Sequence, residues 1–289
     1  MKIRSMLTSV TALAMVFMVA ATVYAADQTV VITGDTSAGE NQPGWLFNRD
    51  VSTSTPYEFN TDAASIGSGS LYVLPIGANA ADKFIGENFI NTAMADVSSI
   101  AYDFKIGGGG DANDANHFYM NVYANFGESD PLKFYDCRYN VVPAAGSTAN
   151  FTTVTFDTAQ AYPVTTRNTS PHPCPAVPAD MDLLSPGSNL RVFALNVGDT
   201  AANDVGLDGY LDNVVVDTAD GVTTYDFEPA LTPTTKRECL RDGWMIFNTP
   251  SFNSAEQCVR FVERNNKGER DRNHEYQQEH GHDNDQPVR

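Results

Sequence analysis

Six side chains in two short stretches combine the hydrogen-bonding groups and rings from which ligand sites are built: His117, Tyr119, Asn121, Tyr123, Arg138 and Asn140. The first four recur at every second position, and so do the last two. A β-strand points successive side chains to opposite faces. Over 116–126 the four therefore share one face, while Phe118, Met120, Val122, Ala124 and Phe126 share the other. The same alternation runs through 133–142, where Tyr135, Cys137, Tyr139 and Val141 oppose Asp136, Arg138 and Asn140. In 98–107, Ile100, Tyr102, Phe104 and Ile106 oppose Asp103 and Lys105. If the three strands are neighbours, they make one sheet with a core side and a polar, aromatic side. The plain alternative is a solvated face, because Tyr is also an ordinary strand residue.

Phenols, an imidazole, amides and a guanidinium suit hydrogen bonding and stacking against a sugar. They also suit base catalysis and charge neutralisation of the kind a glycan lyase needs. Retaining hydrolysis of a glycosidic bond asks instead for two carboxyl groups about 5–5.5 Å apart. Asp103 and Asp136 are the acids on the polar side, but Arg138 stands two residues from Asp136, and an ion pair is the simpler use. There is no G-x-S-x-G elbow and no H-E-x-x-H. The glycines at 107–110 lack the Lys and Ser/Thr of a phosphate loop. No residue is assigned a catalytic role, which favours binding over catalysis. Two oxygen-rich stretches, 111–116 and 199–208, superficially resemble calcium loops, but the first lacks the glycine and distal Glu in register. Ordinary loop chemistry competes for both.

These side chains need a scaffold. Runs rich in Val, Ile, Phe, Tyr and Thr occur at 29–33, 45–48, 57–60, 70–75, 83–89, 151–156, 190–197, 207–217 and 222–227, separated by Gly, Asn, Asp, Ser and Pro. Many short strands between turn signals predict an all-β fold, a jelly-roll-like antiparallel β-sandwich over 26–230. A linker over 231–238 leads to a small module at 239–266. There, Ser254 and Gln257 fit a capping box, so a helix starts near Ala255. Trp244, Phe247 and Phe252 would form its miniature core, as Trp45 would join the larger one. The tail, 267–289, is charged and almost free of apolar residues, which predicts disorder.

The first 25 residues have the layout of a secretory signal peptide: Lys2 and Arg4, an apolar run, then Val23-Tyr24-Ala25. Its uninterrupted apolar part is about half of the ~20 residues a bilayer span needs, so no membrane span is expected in the mature chain. The four cysteines agree with export, since an even number in a secreted chain reads as disulfides. Three pairings are open. Cys137–Cys174 and Cys239–Cys258 are favoured, because each pair lies within one segment of distinct composition. No CxxC spacing supports zinc.

Charge is uneven. Residues 27–230 hold 26 Asp and Glu against 7 Lys and Arg, whereas 231–289 hold 10 against 9. Nucleic acid is excluded as a partner of the first segment, because phosphate contacts need cations. The excess of acid suits a solubilising surface or calcium.

The stretch Gly209-Tyr210-Leu211-Asp212-Asn213-Val214-Val215-Val216, closing in Thr224-Tyr225-Asp226-Phe227-Glu228-Pro229, resembles the last strands of secreted jelly-roll domains, including carbohydrate-binding modules. The pattern Cys239, Gly243-Trp244, Phe247, Pro250-Ser251-Phe252, Gln257-Cys258-Val259 resembles a short C-terminal module of uncharacterised secreted bacterial proteins. The first resemblance implies structural calcium held by residues of the first and last strands, here Asp35, Glu40, Asp212 or Asp226. It also implies a polysaccharide or cell-surface glycan as partner. The expected function is non-catalytic glycan binding outside the cell. An extracellular structural protein without a small ligand is the second expectation, and a polysaccharide lyase or hydrolase the third.

Overall fold

A computed structural model describes residues 27–37, 39, 42–48, 55–78, 82–130, 133–198 and 204–265. The expected signal peptide, the charged tail and Glu40 lie outside the described residues. Thirteen strands form two sheets that face each other across one apolar core. They are β1 (Gln28–Ile32), β2 (Gly44–Phe47), β3 (Tyr57–Asn60), β4 (Ser70–Val73), β5 (Phe84–Ala93), β6 (Val97–Ile106), β7 (Phe118–Asn125), β8 (Cys137–Val141), β9 (Thr152–Asp157), β10 (Val164–Thr166), β11 (Asn189–Val197), β12 (Gly209–Thr218) and β13 (Gly221–Phe227).

The six-stranded sheet has the order β10-β8-β7-β11-β5-β2 and is antiparallel throughout. In the seven-stranded sheet, β6 runs along one edge of β12, while β4 and β13 share the other edge. β9 lies outside β6 and β3 outside β4. One departure from an antiparallel sandwich is β1, which pairs in parallel with β13.

The three central strands are not all neighbours. β7 and β8 pair, but β6 belongs to the opposite sheet. Their apolar faces therefore meet across the core rather than side by side: Phe104 of β6 stacks on Phe118 of β7, with ring centroids 4.9 Å apart. Ile100, Tyr102, Phe104, Phe118, Met120, Val122, Cys137 and Tyr139 are fully buried. Burying a large apolar side chain of this kind stabilises the fold by about 1.5–3 kcal/mol. Trp45 is also fully buried, packed edge-on against Phe193, Tyr225 and Phe227.

Both favoured disulfides form. Cys137–Cys174 ties the loop after β10 to the inner face of β8, and Cys239–Cys258 staples the C-terminal module. In that module a helix spans 255–265. The Ser254 hydroxyl accepts from the Gln257 N–H at 3.3 Å, and the Gln257 side chain accepts from the Asn253 N–H at 2.9 Å. This is a capping box displaced by one residue on its return bond. Cys239, Phe247, Cys258 and Val262 form a second small core, with Trp244, Phe252 and Leu231 against it.

Candidate functional site

The outer face of the six-stranded sheet is built by register. Asn121 of β7 lies opposite Asn140 of β8, and Tyr123 lies opposite Arg138. Directly opposed residues have Cβ atoms about 4.5–5.5 Å apart, so these four form a compact block. Tyr119 continues the row along β7, opposite Asn196 of β11. His117 precedes the strand at the end of a 3-10 helix, Ala112–His117, and its carbonyl accepts from the Gly198 N–H at 3.0 Å.

All six side chains line one cavity of about 540 Å³, together with Lys83, Asn116 and Val142. His117 Nδ1 lies 2.9 Å from Oδ1 of the buried Asp204. The side-chain oxygen of Asn140 has no hydrogen-bond partner among the described residues. Tyr123 packs at 5.0 Å on Phe134 and at 5.3 Å on Tyr135. Tyr135 therefore leaves the inward face expected of it, because strand geometry begins only at Cys137. Rings, amides and a cation on a half-buried concave floor can cover the apolar face of a sugar while bonding its hydroxyls.

A larger cavity, about 610 Å³, adjoins the Phe134 side of this stack. Its charged lining is largely engaged within the protein. Glu128 accepts from Ser185 and pairs with His172, and Lys133 pairs with Asp136. The Ser185 hydroxyl, followed by a backbone hydrogen bond at Glu128 and then the His172 contact, holds the Glu128 carboxyl below its ordinary range.

The expected Asp136–Arg138 pair is not made. Asp136 is fully buried and is bound instead by Lys133, Ser129 and the Phe126 N–H. Arg138 lies opposite Tyr123 in register and lines the outer-face cavity. Asp103 sits in the opposite sheet, held by Ser65, Thr153 and Asn213, so the two acids form no pair.

Among the described residues no group of three or more His, Cys, Asp or Glu side chains could hold a metal ion, and of the residues implied for calcium Glu40 lies outside them. Asp212 spends Oδ1 on the Phe227 N–H and Oδ2 on those of Ser65 and Ile66. Asp35 accepts from the Phe47 N–H at 2.8 Å. Of Asp35, Asp212 and Asp226, the last keeps a buried oxygen without a partner among the described residues. Beside it, Glu228 accepts from the N–H and hydroxyl of Ser68. Both carboxylates press on Gly67, at φ +62°, where a Cβ would collide with them. The stretch 111–116 is likewise a helix cap: Asp111 accepts from the Asn113 N–H, and Asp114 from the Asp111 N–H.

Lys83 escaped the sequence reading, and Asn116 and Asp204 figured in it only as members of the oxygen-rich stretches. Lys83 immediately precedes a strand two places away from β7 in the sheet, and Asp204 lies outside any strand, so neither shows a periodicity that would mark it.

No family model matches the chain, and no curated protein matches its sequence, so the resemblance of the Cys239–Cys258 segment is unsupported by either. Solved structures of low similarity do match. One is the family 11 carbohydrate-binding module of the cellulosomal cellulase Lic26A-Cel5E of Clostridium thermocellum, at 8% identity and TM-score 0.38, over 65% of this chain and 96% of that one. A second is a carbohydrate-binding module specific for non-crystalline cellulose, at 15% identity and TM-score 0.31, over 65% and 98%. A third is the N-terminal cellulose-binding domain of β-1,4-glucanase C from Cellulomonas fimi, at 14% identity and TM-score 0.27, over 63% and 97%.

Proposed function

We propose that this chain is an exported protein that binds glycans without transforming them, on the outer face of its six-stranded sheet. The observation that carries this reading is the convergence of His117, Tyr119, Asn121, Tyr123, Arg138 and Asn140 on one cavity. Two disulfides fit an oxidising compartment. If calcium accompanies this reading, Asp226 is the expected residue that keeps a buried oxygen without a partner among the described residues.

A glycan array probed with the chain lacking residues 1–25, with and without EDTA, tests the proposal. Binding to at least one polysaccharide is expected. Tyr123→Ala and Asn121→Ala should each weaken it by about tenfold, the loss of roughly one ring contact or one hydrogen bond. Silence across the array would leave the structural-protein reading.

One observation favours a second reading, glycan cleavage. His117 is held by a buried Asp204 and lines the same cavity as Tyr119, as a general base and acid would. Product release from a polysaccharide, abolished by His117→Ala or Tyr119→Phe, would establish it.

A further inference from the structure

Residues 27–230 carry seven Lys and Arg against 26 acids, yet their cations are not spread over the surface. Lys83 and Arg138 line the candidate cavity, and no Asp or Glu is among its described lining residues. Three more cations lie near this face, although Lys133 is paired with Asp136 and the buried Arg191 bonds the Lys133 carbonyl. Arg191 lies over the Phe134 ring at 5.9 Å and Arg167 over the Tyr135 ring at 5.4 Å, while Lys133 lines the adjoining cavity. Both rings pack on Tyr123. Of the remaining two, Lys105 lies on the opposite sheet over Tyr210, and Arg49 is outside the described residues.

Arg138 is half-buried, and its guanidinium makes no hydrogen bond or ion pair among the described residues. A guanidinium kept in a concave wall without an anion has lost hydration and gained nothing in return. Its planar fork matches a carboxylate or an oxyanion on a ligand. Nearby acids do not cancel it. Asp204 is turned to His117, and Glu87 stands two strands away from Asn121, across Ala194.

On the glycan-binding reading, on which this rests, we infer that the ligand is an acidic polysaccharide, its carboxylate or sulfate groups paired by Arg138 with Lys83 beside it. The amides and rings would then hold the sugar hydroxyls and faces.

The test compares alginate, a sulfated galactan and a neutral β-glucan by affinity electrophoresis and calorimetry. About 0.15 M salt is used, where a Debye length of about 8 Å confines charge effects to the cavity. Alginate or the sulfated galactan should bind at least about tenfold more tightly than the neutral polymer. Arg138→Gln should remove most of that preference, with an unchanged melting temperature, and Lys83→Gln part of it. The polymer that binds identifies which anion is read. Equal or tighter binding of the neutral glucan, or an acidic preference untouched by both variants, overturns the inference and leaves glycan binding standing. Binding to none of the three, with silence on the wider array, overturns both.

Discussion

Asp226 shows how a single carboxyl can be placed against its own ionisation. Burial first, then the Glu228 and Asp212 carboxylates, push its pKa up to about 6. In the unfolded chain an Asp titrates near 3.9 or so. A raised folded pKa means that the protonated form favours folding. That contribution is complete below about pH 4 and is lost as pH rises to about 6. Asp226→Asn cannot ionise, so it should match the wild type at about pH 4 and exceed it above about pH 6 by on the order of 2 kcal/mol. Thermal melts across that range check this. A variant less stable than the wild type at neutral pH, with EDTA destabilising only the wild type, would instead make Asp226 a cation donor. The outward placement of side chains on β7 and β8 was legible, because period-two alternation alone puts His117, Tyr119, Asn121 and Tyr123 on one side. The partner of Asp136 was not, because Lys133 reaches it through a turn that no periodicity describes.

At the scale of elements, the C-terminal module depends on its staple. Its core is four buried residues around the Cys239–Cys258 bridge. Closing a loop of this size removes unfolded-state entropy worth about 3 kcal/mol, a large share of what so small a core can supply. Replacing both cysteines with serine should open the helix at 255–265 to limited proteolysis while the sandwich keeps its own melting transition. Joint melting of sandwich and module would show them to be one cooperative unit. The strands themselves were readable from alternation, and the capping residues announced the helix. What local pattern does not encode is which sheet a strand joins. β6 looks like a neighbour of β7 in sequence, yet its partners are β9 and β12, chosen by long-range packing. β10 escaped because three residues at a sheet edge carry too little periodicity. The parallel pairing of β1 escaped because direction is set by where the chain enters the sheet.

At the scale of the molecule, the excess of 19 negative charges on 27–230 opposes compaction. Salt relieves that repulsion, shortening the Debye length from about 30 Å at 0.01 M to about 8 Å at 0.15 M. The melting temperature should therefore rise by roughly 2–4 °C over that interval, equivalent to about 1 kcal/mol for a domain of this size. A flat or falling trend in a salt titration would show that the acids are already compensated locally. The alternation of buried and outward side chains along β7 and β8 has a consequence for how such a protein can change. Met120, Val122, Cys137 and Tyr139 are sunk in the core, while positions 119, 121, 123, 138 and 140 take no part in it. On the proposed reading, folding and selectivity are thus written on interleaved but separate alphabets. A library randomised at those five outward positions would search for new ligands on a scaffold whose architecture it never edits.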